Sequence, residues 1–115
     1  MNRLLGLRIA LGVVGVLFIL TAYPMIVFMR SEPALSMMFS LYVTLGVFLL
    51  LAIRNPSASR SVIAFTAWSS LVHGVWMGAQ ALGGMVARGE LIGVAVLIVI
   101  GILFVALAPP KQLAA

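Results

Sequence analysis

An all-α, membrane-embedded four-helix bundle, running up-down-up-down with both termini cytoplasmic, is the fold class this sequence predicts, and three observations predict it. Of 115 residues 64% are apolar and 8% charged, with a mean hydropathy of +1.29, whereas soluble domains are about 25% charged. The apolar residues fall into four runs, each near the roughly 20 residues a helix needs to cross a bilayer. The turns between the runs hold most of the charge, with more cations on one side than on the other. A single domain, residues 1–115, accommodates all four spans, at about 4–29, 34–53, 61–86 and 91–108.

Span one begins after Arg3 and contains Arg8. Its apolar run is too long for a signal peptide, and no small-x-small cleavage pattern follows. Pro24 removes one helix hydrogen bond, which predicts a bend in the last turn. Thr21 is suited to bonding its own helix and Tyr23 to an interface anchor, or both face the third span. Pro33, after Arg30-Ser31-Glu32, suits the first position of span two. There Ser36, Ser40 and Thr44 recur every four residues and share a face; Tyr42 and Gly46 lie on the other side.

The connection Arg54–Arg60 carries an Asn-Pro turn signal, and Ser59 or Ser61 can cap the next helix. Span three holds the one His, the one Gln and both Trp of the chain up to its last apolar run. On a helical wheel Thr66, Ser69, Ser70, Met77, Gln80 and Gly84 fall within about 60° of His73. Beside this polar stripe runs a seam of small residues that includes Gly74 and Gly78, a pair that admits another helix backbone. Ala64, Trp68, Leu71, Val75, Ala79, Leu82 and Val86 form the face expected toward lipid. Span four, after Arg88-Gly89-Glu90, carries no polar side chain and reads as a lipid-facing wall or oligomer contact, with Gly93 and Gly101 as close-approach points. Pro109-Pro110 stops it and Lys111 follows.

Arg3, Arg8, Arg54, Arg60 and Lys111 fall on one side, Arg30 and Arg88 on the other. The positive-inside bias places the first group in the cytoplasm. Single, dispersed cations form no patch, so the net charge of +5 does not imply nucleic acid; the partners expected are the lipid bilayer and a homo-oligomer or larger membrane complex. Glu32 and Glu90 read as solvated loop acids beside Arg30 and Arg88.

The midpoints of spans two and three place Thr44 and His73 at similar depth, within hydrogen-bonding reach of each other. Ser40 and Gln80 lie about 6 and 10 Å further outward at 1.5 Å per residue. These residues, with Ser69, Met77 and Tyr23, are the candidate ligand-binding set: a polar pocket in the outer leaflet between the first three spans, centred on His73. A histidine inside a membrane is a functional candidate by default. With one His and no Cys, a metal or haem site lacks a second strong ligand. Met25, Met29, Met37, Met38 and Met85 lie near helix ends and Met77 one turn from His73, and thioethers with an imidazole suit Cu(I), but methionine is commoner as a gap filler. No metal and no cofactor is assigned. Ser69 and Ser70 lie a turn from His73 without an acid to orient the imidazole, so no catalytic residue is assigned and an enzyme is not expected.

Tyr23-Pro24, the stretch YVTLGVFLLLAIRNP (Tyr42–Pro56) and the stretch FTAWSSLVHGVWMGAQAL (Phe65–Leu82) resemble a family of small bacterial four-helix integral membrane proteins catalogued as a domain of unknown function. The resemblance implies a bacterial cytoplasmic membrane location and puts Trp68, Ser69, Ser70, His73, Gly74 and Gln80 in the family's signature helix; it implies no activity. Small multidrug transporters match in size and span count, but the intramembrane acid they use is missing here. Two functions remain. The first is a non-enzymatic packing or accessory component acting through helix association at Gly74/Gly78. The second is a binder or transporter of a small ligand (a lipid-like molecule, quinone, metal ion or proton) in the pocket around His73. A cavity reaching His73 from the outer side favours the second, and a filled core the first.

Overall fold

The computed structural model describes residues 2–109, and within them the chain is helical without a strand. Pro110 and Lys111, which figure in the helix stop and the charge count, lie outside the described residues. The helices are α1 (Arg3–Ile19), α2 (Ala22–Val27), α3 (Pro33–Ala52), α4 (Arg60–Leu82) and α5 (Glu90–Leu107), with a 3₁₀ turn at Pro56–Ser59 before α4. Four segments are long and apolar enough to cross a membrane: α1 with α2, α3, the 3₁₀ turn with α4, and α5.

Local chemistry explains most boundaries. Asn2 caps α1 by accepting the Leu5 amide at 2.7 Å, and Pro33 opens α3. The first span is two helices, not one helix bent in its last turn. Pro24 has no N–H for the Leu20 carbonyl and its ring crowds that carbonyl, so the interruption falls four residues upstream. Leu20 and Thr21 form a turn there, with Tyr23 donating back to the Leu20 carbonyl at 3.2 Å. The third span stops at Leu82, short of Val86. Gly84 sits at φ +75°, Met85 N–H bonds the Gln80 carbonyl at 2.8 Å and Gly84 N–H that of Ala81 at 3.2 Å, the double bond that closes a helix on a left-handed glycine.

Two close pairs build the bundle. Along α4 and α5, Ala67 faces Gly101, Gly74 faces Ile98 and Gly78 faces Val94, so the two helices run antiparallel. A Cβ on Gly101 would stand 2.5 Å from Leu71 and 2.9 Å from the Ala67 carbonyl oxygen; only a hydrogen fits. Along α1 and α3, a Cβ on Gly46 would stand 2.6 Å from the Gly15 carbonyl oxygen. By contrast α3 and α4 touch over a short stretch only.

The two ends of the bundle are unlike. At one end Arg3 donates to the carbonyls of Ala106 (2.8 Å) and Ala108 (3.1 Å), Arg60 to that of Pro109 (3.0 Å) and Arg8 to that of Arg54 (3.5 Å). These bonds gather the start of α1, the end of α3, the start of α4 and the end of α5, and satisfy carbonyls that a helix end leaves free. The buried core lies in this half: Leu7, Leu11, Val14, Phe18, Leu49, Ile63, Ile100 and Phe104. The other half is loosely filled. No residue of α2 is buried, and Ser36 is the one buried residue in the first half of α3.

Candidate functional site

Where the packed half ends, three rings from three helices form a layer. Phe18 of α1 meets Tyr42 of α3 edge-on, with centroids 4.9 Å apart at 81°, and Tyr42 meets His73 of α4 with centroids 5.7 Å apart at 48°. The Tyr42 hydroxyl and His73 Nδ1 are hydrogen-bonded. The pair is thus an interhelical polar contact in an otherwise apolar layer, and it bridges two helices that pack little against each other.

His73 borders three adjoining cavities. A mouth cavity of 690 Å³ lies at the end away from the arginine bonds, between α3, α4, the α2–α3 turn and the start of α5; Glu32, Trp76, Gln80 and Glu90 line it, with His73 and Met77 deeper. An inner cavity of 310 Å³ runs between α1, α3, α4 and α5 past Phe18, Tyr42, Met77, Gly93 and Leu97. A lateral groove of 420 Å³ follows the α3–α4 gap, lined by Leu41, Thr44, Leu45, Phe48, Phe65 and Ser69. Met38 and His73 line all three, so the three voids adjoin at these two side chains.

This geometry redistributes the expected site. Gln80 and Met77 line the mouth cavity, and Thr44 and Ser69 the lateral groove. Thr44 is not the partner of His73: its hydroxyl donates to the Ser40 carbonyl in its own helix at 3.0 Å, and Ser69 bonds Thr66 at 3.4 Å. Ser40 and Tyr23 stay outside the site. The Ser40 hydroxyl donates to the Met37 carbonyl at 2.5 Å on an exposed face, and Tyr23 is 77% exposed. Thr21 bonds the Phe18 carbonyl at 2.5 Å, closing the α1–α2 turn, and Ser36 crosses to the Met25 carbonyl at 2.6 Å, tying α2 to α3. Within the predicted polar stripe, Thr66 and Ser70 are buried in the packed half, 0% and 1% exposed. Gly74 and Gly78 pack against α5, so their seam is filled within the chain. The exposed apolar side of α4 holds Phe65, Val72 and Trp76 besides Trp68, Val75 and Leu82, whereas Leu71 turns inward onto Gly101.

Sequence reasoning misses two contributors. The helical wheel puts Tyr42 on the far side of α3 from the site, and the apolar composition of α5 suggests that it offers a solute nothing; yet its first residue, Glu90, lines both the mouth and the inner cavity. One usable signal exists for Tyr42: it stands four residues before Gly46, and a face that needs glycine is a face packed against another helix. Among the described residues no three of His, Asp and Glu gather as a metal site. The arrangement offers hydrogen-bonding groups and carboxylates at the mouth, an imidazole–phenol pair at the floor and an apolar side exit.

Residues 3–112 match the model of DUF6632, described as a family of unknown function. No curated protein and no solved structure matches the chain.

Proposed function

The chain belongs to DUF6632, a family of unknown function, and from that premise we propose that it is a multi-pass protein of the bacterial cytoplasmic membrane that binds a small molecule in the cavities meeting at His73. The observation that carries this reading is the convergence of three cavities on His73, whose hydrogen-bonded partner Tyr42 lines two of them. Ligand sites are concave, mostly apolar and set with a few convergent polar groups. The rival role, assembly through Gly74 and Gly78, loses support because α5 already occupies that seam. Binding without catalysis fits the site better than an enzyme does, since the Ser69 hydroxyl bonds the Thr66 carbonyl and is not aimed at His73.

The arginine-bonded end is the cytoplasmic one in this proposal. It holds Arg3, Arg8, Arg54 and Arg60, against Arg30 and Arg88 in the loops of the opposite end, and cations concentrate on the cytoplasmic side. The mouth then opens outward.

The chain has no cysteine, so single cysteines test the proposal directly. In intact cells, Gln80→Cys and Met77→Cys should react with a membrane-impermeant thiosulfonate, whereas Ala67→Cys, at a buried position under Gly101, should not. Unreactive cysteines at both 77 and 80, in protein that remains folded, would remove the outward-opening site. Reaction only in inverted vesicles would reverse the orientation.

A further inference from the structure

The shape and lining of the adjoining voids point to a ligand class: a single-chain amphiphile with a cationic head. This inference rests on the binding reading above and narrows it. The polar groups are unevenly placed. In the mouth cavity Glu32 approaches from the α2–α3 turn, Glu90 from the first turn of α5 and Gln80 from α4, while Arg30 and Arg88 are not among its lining residues. A head that carries positive charge and N–H donors is complementary to two carboxylates and an amide oxygen.

On the other side of Met38 and His73 lies the lateral groove, where Leu41, Leu45, Phe48 and Phe65 line the walls and hydroxyls come only from Tyr42, Thr44 and Ser69. Two of those three hydroxyls already donate within their own helices and the third is bonded to His73. They therefore leave an alkyl chain without a competing donor to bury. Leu41, Phe48 and Phe65 are also exposed on the outer surface of the bundle, so the groove opens sideways toward lipid. A compact ion would use the mouth and leave the groove empty; a neutral hydrocarbon would use the groove and ignore the carboxylates. An amphiphile whose chain leaves through the α3–α4 gap uses both.

Brominated chains test this through tryptophan quenching in zwitterionic nanodiscs. Phe65→Trp in a Trp68→Phe/Trp76→Phe background gives one tryptophan in the groove, and Val99→Trp in the same background gives one on the exposed face of α5. The probes are 12-bromododecylamine, 12-bromododecanol and 12-bromododecanoate, each corrected for its own partition into the bilayer. The amine should quench the tryptophan at position 65 saturably, at least tenfold more tightly than the carboxylate, and quench the one at position 99 only in proportion to its membrane content. Glu32→Gln with Glu90→Gln, both at exposed positions, should bring amine and alcohol within about twofold. Equal binding of the alcohol in the unsubstituted mouth, or an amine preference that survives both substitutions, would overturn the cationic head while leaving an occupied cavity. Quenching at position 65 that never saturates for any probe would overturn the amphiphile class itself. Cysteine labelling at 77 and 80 then decides separately whether the cavity is a site for something else.

Discussion

At the scale of single residues, Tyr42 has two separable jobs. Its ring fills the layer between Phe18 and His73, and its hydroxyl bonds His73 Nδ1. Tyr42→Phe keeps the ring and should cost about 0.6 kcal/mol, the average for interhelical hydrogen bonds in a membrane bundle. Tyr42→Ala opens a void and should cost about 3–5 kcal/mol, as aromatic truncations in packed interiors do. Unfolding in detergent by titration with sodium dodecyl sulfate measures both; equal losses would mean that the hydroxyl, not the ring, holds the layer. Gly101 is a second sensitive position, because Leu71 and the Ala67 carbonyl leave it no room. Gly101→Val should destabilise by about 1–3 kcal/mol through overpacking, and unchanged stability would show that α4 and α5 can separate cheaply. The contrast between Tyr42 and Thr44 shows what the sequence can and cannot reveal. Periodicity groups residues by face, and it groups Ser36, Ser40 and Thr44 as one side of α3. It does not say which helix that side meets. Nor does it weigh neighbouring carbonyls, and Ser40 and Thr44 spend their hydroxyls on carbonyls three and four residues back.

At the scale of the element, proline and glycine act at a distance from where they stand. The four spans are legible because a bilayer demands long apolar runs, and the Arg30–Pro33 and Arg54–Arg60 turns interrupt those runs with charge. The ends are less legible. Hydropathy continues through Met85 and Val86, so α4 reads as longer than it is, although Gly83-Gly84 supplies the stop signal. Pro24 likewise reads as a bend at its own position, whereas the carbonyl it cannot donate to is that of Leu20, which accepts from Tyr23 N–H in a turn instead. Pro24→Ala should therefore join α1 and α2 into one helix. The diagnostic measurement is amide exchange in nanodiscs: the N–H that the substitution introduces at position 24 should exchange slowly, like those of α1. Fast exchange there would mean that the Ser36–Met25 bond, not the proline ring, keeps α2 apart. Gly84→Ala should cost about 1 kcal/mol, since φ +75° is easy only without a Cβ.

At the scale of the whole molecule, the division into a tied, filled end and a loose, hollow end is not visible in the sequence. It depends on guanidinium groups reaching carbonyls more than forty residues away, as Arg3 does at Ala106 and Arg60 at Pro109, and local pattern carries no trace of such pairings. The asymmetry predicts where the bundle breathes. Spin labels at Ser31 and Arg88, in the two mouth loops, should give a broader distance distribution than labels at Leu5 and Ala58 near the arginine bonds. Equal widths would mean that the α3–α4 gap is rigid at both ends. The depth of His73 also matters electrically. It stands near the middle of α4, so a cation descending from the mouth to its layer would cross about half of the membrane field, worth about 1 kcal/mol per 100 mV. A cation held at Glu32 and Glu90 would cross almost none of it. The steepness with which binding follows an imposed voltage is therefore a ruler for how far into the protein the charge travels.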